Sequence, residues 1–379
     1  MMFEATRQAG LRRLEAFLPS AGQAYQERRN FDVPACGVSG LSPWIRHRLL
    51  TEDEILRRIL EHHTPREAQS FVQEVFWRGY FKGWLQQRPT VWHRYKAGRD
   101  QARAGAAGDY RAAIEGRTGI DCFDHWSRQL ITEGYLHNHA RMWFASIWIF
   151  TLRLPWQLGA DFFLTHLRDG DPASNTLSWR WVAGLHTKGK HYLASAENIA
   201  RFTEGRFNPV GQLATDAMPL TETAEHPFIP FAPPAISAPG PHLRLLTEED
   251  CGAGLTPLPQ EAGVLAIVSP LSSDFAQAAI CRTATEQGGE ICIGHLWSEA
   301  ILRAAEAAGV AQVVVDFTPV GPVADGLDRA RARLAQTGIR VQQVLRPYDR
   351  RVWAHADKGF FKLKKQIPKL LISLGITDG

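Results

Sequence analysis

The hydrophobic rhythm of this chain changes once, at a proline-rich stretch, and that change limits the folds open to it. Before about residue 205, apolar residues recur three and four positions apart, the period of helices. The clearest run is REAQSFVQEVFWRGYFKGWLQQ, residues 66–87, where Phe71, Val75, Tyr80 and Trp84 fall on helical spacing between Pro65 and Pro89. Further helices are expected over 122–132, 137–151, 156–167 and 195–202. The segment NPVGQLATDAMPLTETAEHPFIPFAPPAISAPGP then reads as an extended linker or a surface strap. Beyond it, GVLAIVS (263–269), EICIGHL (290–296), AQVVVDF (311–317) and RVQQVLR (340–346) alternate with helical patterns. Such alternation predicts a small parallel sheet covered by helices. No G-x-G-x-x-G or Walker loop follows those strands, so nucleotide binding there has no motif behind it. The basic stretch KGFFKLKKQIPKLL reads as a docked terminal helix. The expected organisation is a helical domain over 1–207, a linker over 208–242, and a small α/β domain over 243–379 that ends in a basic helix.

A chain of 379 residues can support two cores. At 45% hydrophobic and 22% charged residues it has the composition of an ordinary globular protein. The longest apolar run, Met142 to Leu152, is well short of the roughly 20 residues needed to cross a bilayer. No secretory leader is visible at the N-terminus, and a cytoplasmic location with no membrane attachment is expected. The five cysteines form no C-x-x-C pair, which argues against a disulfide framework, a zinc site or an iron–sulfur cluster. Reduced thiols and no metal are therefore expected. A formal charge of +4 is a weak signal for nucleic acid. The tryptophans say more: ten of twelve lie between Trp44 and Trp181.

Polar groups gather beside those aromatics. In QEVFWRGYF, Glu74, Trp77 and Arg78 share a helix face, and in HNHARMWFAS so do Asn138, Arg141 and Met142. The run DGDPASNTLSWRWVAG, residues 169–184, adds Asp169, Asp171, Asn175, Trp179 and Trp181. If Arg141 is buried it needs an acidic partner, which Asp169 or Asp171 can supply. The order E-x-x-W-R, H-N-x-x-R-M, D-G-D-x-A-x-N-x-x-x-W-x-W resembles the flavin-binding helical domain of the DNA photolyase and cryptochrome family. YQERRNFDVPACGVSGLSPWIRHRLL resembles the family's flavin-phosphate segment, with Tyr25, Ser39, Leu41 and Ser42 at matching places. The resemblance covers residues 25 to about 209. It implies a helical FAD-binding domain of photolyase/cryptochrome type, followed here by the small α/β domain.

The resemblance also implies roles. Asp171 would accept a hydrogen bond from the flavin ring, Asp169 would pair with Arg141, Asn175 would face the flavin N5, and Arg78 would join the cofactor-binding set. The other reading of DGD is a helix cap, a position that Asp favours. Trp179 matches the flavin-proximal electron donor. Trp156, 23 residues earlier, matches the middle of the electron chain. Trp92 and Trp148 are candidates for its surface member. Trp77 and Trp181 would wall the substrate pocket, Glu74 would hydrogen-bond a pyrimidine dimer, and Asn138 and Met142 would border it. Stacking walls suit an extruded lesion; the competing reading of such clusters is core packing. Lys188 and Lys190 would contact DNA phosphates, or form an ordinary solvated run.

The order of domains departs from the family, whose α/β antenna domain precedes the helical one. The segment 88–119 is shortened or diverged, and Val38 stands where a hydroxyl residue often contacts flavin phosphate. The expected activity is FAD-dependent, blue-light-driven repair of cyclobutane pyrimidine dimers in DNA. The alternatives are a cryptochrome-like photoreceptor that signals through a protein partner, (6-4) photolyase-like repair using His137 and His139, or a flavin-binding module without photochemistry.

Overall fold

The computed structural model describes residues 3–34, 37–105, 108–235, 240–252 and 259–378. In chain order its helices are α1 (Arg7–Phe17), α2 (Gln23–Arg28), α3 (Ser42–Arg46), α4 (Glu52–His62), α5 (Gln69–Gln86), α6 (Thr90–Ala104) and α7 (Gly108–Ile114). Next come α8 (Asp121–Glu133), α9 (Asn138–Ser146), α10 (Trp156–His166), α11 (Pro172–Ala183) and α12 (Ala196–Phe202). The strands β1 (His242–Leu246), β2 (Glu261–Val268), β3 (Glu290–Ile293), β4 (Gln312–Asp316) and β5 (Arg340–Val344) alternate with α13 (Asp274–Glu286), α14 (Trp297–Ala307) and α15 (Pro322–Leu334). The chain closes with α16 (Pro347–Trp353), α17 (Phe360–Lys364) and α18 (Ile367–Ser373).

Contacts divide the chain into two compact units. A helical unit is built from Ser20–Val38 and Arg88–Pro227, and a mixed unit from Met2–Pro19, Ser39–Gln87 and Phe228–Gly379. This differs from the expected break after residue 207, because residues 39–87 are tied into the sheet-bearing unit by buried charge. Arg46 Nη2 donates to Glu249 at 2.8 Å, Lys82 lies 3.5 Å from Glu249, and Arg48 Nη2 donates to Asp349 at 3.0 Å. Arg346 joins the same network through Glu52 at 2.8 Å and Asp349 at 3.1 Å. Helix α5 also packs closely on α16. A Cβ on Gly83 would lie 2.8 Å from the Trp353 ring, so only glycine lets the two helices approach this far.

The helical unit is held by stacked aromatics. Helix α8 sets Phe123 on Phe144 of α9 at 4.2 Å, and Trp126 on Trp143 at 5.5 Å. The helix expected over 137–151 is present as α9 followed by a π-helical turn, Ile147–Thr151. In the mixed unit all five strands are parallel in the order β3-β2-β1-β4-β5. Their core joins Leu243, Leu265, Ile267, Val313 and Val315 to Ile301 of α14 and Leu327 of α15. Burying each such side chain contributes about 1.5–3 kcal/mol. The central strand, β1, was not among the four expected. Its HLRLL sequence carries two basic residues, yet His242 and Arg244 are buried, with Arg244 ion-paired to Asp316.

The proline-rich segment is a strap with its own bonds. In the helical unit, Leu220 N donates to Ala183 O at 2.9 Å and Arg180 Nη1 to Glu222 at 3.0 Å. In the mixed unit, Ile229 N donates to Gln87 O at 2.8 Å, and Phe231 packs edge-on against Phe317 and Trp353. The basic C-terminal stretch forms α17 and α18, which bury Phe360, Leu363, Ile367, Leu370 and Leu371. Cys122, Cys251, Cys281 and Cys292 are free thiols; Cys36 lies outside the described residues. Among the described residues no helix is long and apolar enough to cross a membrane.

Buried titratable groups make stability depend on pH. Burial holds His137 down to about 4, against the opposing charge of Asp32. Burial, with Arg180 and Arg88, holds His186 down to about 4. Both imidazoles are neutral in the fold, whereas the unfolded chain takes up their protons near 6.5. Stability is therefore present above 6.5 and lost as pH falls toward 4. Burial also opposes charge on Glu52, but Arg346, Arg48 and Lys82 outweigh it and hold its carboxyl down to about 2. That contribution is lost as pH falls from 4.5 toward 2. Asp250 runs the other way: burial and the charge of Asp316 push it up to about 6, so its penalty is relieved on acidification. Two histidines against one aspartate leave a net loss between pH 6.5 and 4. The melting temperature followed by circular dichroism is expected to fall across that window; a flat or rising profile would contradict the assignment.

Candidate functional site

In the helical unit, three of the polar residues singled out from sequence converge near the start of α11. Arg141 of α9 reaches both carboxylate oxygens of Asp169, at 3.0 and 3.1 Å, and its Nε donates to Leu136 O. Asp169 is buried, so the pair is shielded from solvent on the acidic side. Asp171 is the N-cap of α11: its Oδ1 accepts from Ser174 N at 2.7 Å, and Pro172 follows at the first helical position. The capping role is thus present. It does not exclude a ligand, since a carboxylate has a second oxygen.

Asn175 and Trp179 follow Asp171 at four-residue steps, which sets all three along one side of α11. Asn175 Nδ2 donates to Ala160 O of α10 at 2.7 Å, which fixes the amide. Trp179 is buried against Phe163 at 5.1 Å and Trp148 at 6.1 Å. Trp156, at the head of α10, is buried against Tyr95 at 5.7 Å, and Tyr95 in turn meets Trp92 at 5.2 Å. Trp92 and Trp148 are both almost fully enclosed, so neither reaches solvent as a surface member of an electron chain. Tyr25 is buried on α2.

The candidate substrate and DNA residues of this unit lie nearer solvent. Asn138 is exposed at the first position of α9, and Met142 one turn later is half-buried. Trp181 is 38% exposed and stacks on Tyr192 at 5.8 Å. Lys188 and Lys190 are exposed in the turn after α11. His137 and His139 have structural partners: His137 Nδ1 caps His139 N, and His139 Nδ1 is 2.9 Å from Asn30 O while its ring stacks on Trp143 at 4.1 Å.

The remaining candidates belong to the mixed unit. Ser39 O accepts from Arg13 Nε at 2.6 Å, and Ser39 Oγ accepts from Leu41 N at 3.3 Å. Leu41 is buried and Ser42 opens α3 half-buried. Glu74, Trp77 and Arg78 are half-buried on α5. One face of Trp77 is covered by Phe360 of α17, with ring centroids 3.7 Å apart and planes 13° from parallel. Nothing in the spacing of residues 66–87 announced that partner.

The polar atoms of α11 test whether a flavin suits this place. Trp179 Nε1 and Thr176 Oγ1 are buried without a hydrogen-bond partner among the described residues. Buried groups in that state are rare unless a ligand or water serves them. Together with the Arg141–Asp169 pair, Asp171 and Asn175, they form a mixed donor and acceptor set beside an aromatic wall. That chemistry fits a polar heterocycle such as the flavin ring. Among the described residues no group of three or more His, Cys, Asp or Glu is placed to hold a metal ion.

Two further structural features were missed from sequence. Gly159 lies against the rings of Trp179 and Trp148, and Tyr110 meets Trp148 at 6.0 Å. A lone glycine inside an aromatic helix was a signal for the first; the second had none.

Comparison with known proteins bears on the family resemblance. Residues 71–218 match the family model described as the FAD binding domain of DNA photolyase. The deoxyribodipyrimidine photo-lyase of Streptomyces griseus is 34% identical over 181 residues, covering 48% of this chain and 39% of that protein. The protein of the same name from Vibrio cholerae is 26% identical over 238 residues, covering 59% of this chain and 49% of that protein. The chain thus spans less than half the length of these relatives. A class III photolyase structure from Agrobacterium tumefaciens aligns with a TM-score of 0.45 at 25% identity, covering 52% of this chain and 42% of that one.

Proposed function

We propose that this chain, which belongs to the photolyase and cryptochrome family through its FAD-binding domain, repairs cyclobutane pyrimidine dimers in DNA under blue light. The observation that carries the reading is the pairing of half-buried Arg141 with buried Asp169, beside Asp171, Asn175 and Trp179 on α11. Bound and reduced, FAD supplies a light-excited one-electron donor. Around it, Arg141 would be held by Asp169, Asp171 would accept from the ring, and Asn175 would present its amide, already fixed by Ala160 O. Tyr25, Ser39, Leu41, Ser42 and Arg78 would complete the cofactor set. Trp181 would stack on the extruded lesion, Asn138 and Met142 would border it, and Glu74 would hold its exocyclic groups and share a proton. Lys188 and Lys190 would hold phosphates of the strand, in a cytoplasmic protein.

The decisive experiment is a visible spectrum of the purified protein followed by repair of a dimer-containing oligonucleotide in blue light. A flavin band with light-dependent loss of dimers supports the proposal; no flavin uptake from added FAD defeats it. Losing a stacked wall costs roughly 1–3 kcal/mol per base, and leaving a buried polar group unpaired costs about 1–3 kcal/mol. Trp181→Ala and Glu74→Ala are each expected to weaken dimer binding or repair about tenfold, near the lower part of those ranges, with flavin absorbance unchanged. Full repair in both variants would remove these residues from the pocket.

A second reading is favoured by one observation. Phe360 occupies a face of Trp77, which withdraws that face from a base. A cryptochrome-like photoreceptor signalling through a protein partner has no need of an open wall. Fully reduced protein that neither prefers dimer-containing DNA nor repairs it would favour this reading. The (6-4) alternative asks for free imidazoles at His137 and His139, and both rings are engaged in holding the fold.

A further inference from the structure

The positive charge of this chain gathers near its C-terminal end. Residues 358–369, KGFFKLKKQIPK, hold five lysines and no acidic residue, so this short stretch exceeds the formal charge of +4 carried by the whole chain. It belongs to the mixed unit. Its apolar residues are used for docking: Phe360 and Leu363 of α17 and Ile367, Leu370 and Leu371 of α18 are buried. Lys362, Lys365 and Lys369 follow one another at steps of three and four residues and are all exposed. Asp357 accepts from Lys362 at 3.1 Å, and both side chains are open to water. Such a surface pair contributes little and yields readily to a stronger anion. No ion pair holds Lys364, Lys365 or Lys369 among the described residues.

Phe361 breaks the apolar pattern. It is 74% exposed while Phe360 beside it is buried, and the two rings meet edge-on at 6.5 Å. The base beneath is fixed, because Phe360 stacks on Trp77 of α5 with ring centroids 3.7 Å apart. A ligand on the outer side therefore meets a preorganised surface and has little chain to order.

The residue types separate the anionic partners that such a patch could take. A helix that lies on a membrane inserts an apolar face among the lipids. Here that face is docked on the fold, and only Phe361 and Ile372 are left exposed. Paired carboxylates of a protein partner are best matched by the planar fork of arginine, whereas lysine is a compact point charge. Lysines that track a phosphate backbone, with an aromatic ring on which a base can stack, form the arrangement that holds a single strand.

We propose that the exposed side of α17 and α18 binds single-stranded nucleic acid, with Lys362, Lys365 and Lys369 on phosphates and Phe361 stacked on a base. This goes beyond the repair reading. None of these four residues belongs to the sets assigned to FAD or to the dimer, and the surface needs neither light nor lesion.

Fluorescence anisotropy of a labelled, undamaged thymidine oligonucleotide in the dark tests the surface. The wild type is expected to bind with a slope of log affinity against log salt of about −2 or steeper, as three phosphate contacts on a single strand require. Lys365→Gln and Lys369→Gln are each expected to weaken binding whatever the base sequence and to flatten that slope by about 0.7. Phe361→Ala is expected to weaken single-strand binding about fivefold or more, with little effect on a duplex whose bases stay stacked. All these side chains are exposed, and circular dichroism checks that the variants fold. No binding by the wild type, wild-type affinity and slope in the variant carrying both lysine substitutions, or unchanged single-strand binding in Phe361→Ala overturns the proposal. Sedimentation with phosphatidylserine vesicles gives the rival its chance: co-sedimentation lost in the double lysine variant, with oligonucleotide binding unchanged, assigns the patch to membranes and overturns the proposal too. Protein that takes up no FAD defeats the repair reading, while the dark measurement still judges this surface.

Discussion

Replacing Asp349 with alanine is expected to remove about 3–5 kcal/mol of stability from the mixed unit, the usual cost of taking one partner from a buried ion pair. Asp349 is 1% exposed and accepts from Arg48 at 3.0 Å and Arg346 at 3.1 Å. After the substitution Arg48, itself 2% exposed, keeps Asp250 at 3.5 Å as its remaining acidic partner in the network. The weaker compensation of two buried cations, Arg48 left with Asp250 and Arg346 with Glu52, is the main penalty. Arg48 also holds φ at 53°, a backbone region unfavourable for a side chain of that size, and its paired guanidinium helps to keep it there. A domain stable by about 5–15 kcal/mol would lose a large share of its margin. Asp349→Asn, which keeps the shape and part of the hydrogen bonding, should fall between the two. Urea denaturation read by circular dichroism checks the series. Exposed Glu299, paired with Arg333 at the surface, serves as the control and should change nothing measurable. An alanine variant as stable as the wild type would mean that the network contributes specificity rather than stability.

That network also explains what the sequence concealed. The helices over 66–87, 122–132 and 156–167 were legible because each has a periodic apolar face long enough to count. Four strands were legible as apolar runs between turns. Strand β1 was not, because His242 and Arg244 break its pattern; both are buried, Arg244 with Asp316 far along the chain. The assignment of residues 39–87 to the mixed unit was hidden for the same reason. Periodicity tells which face of a helix is apolar, but not which carboxylate will meet Arg46 or Arg48. In the candidate site, the Arg141–Asp169 pair and the capping role of Asp171 were both anticipated, since each depends on short, ordered motifs. Phe360 against Trp77 and Tyr110 against Trp148 were not, because aromatic contacts between distant segments leave no mark on spacing.

Trp179→Phe is expected to abolish most light-driven reduction of oxidised flavin while leaving the cofactor bound. The substitution separates redox chemistry from packing unusually well at this position. Trp179 Nε1 has no hydrogen-bond partner among the described residues, so deleting the indole nitrogen strands no protein acceptor and removes one donor of the several offered to the ring. Phenylalanine keeps an aromatic ring for Phe144 and Phe163, which meet Trp179 at 6.4 and 5.1 Å. The volume vacated beside Gly159 costs some stability, but the surrounding aromatic rings limit it. Benzene is much harder to oxidise than indole, so every path that begins at Trp179 is cut at its first step, whether it continues through Trp148 or Trp156. Photoreduction measured as bleaching of the flavin band, normalised to bound flavin and with an external electron donor present, reports the effect. An unchanged rate in a variant with full flavin content would remove Trp179 from electron supply.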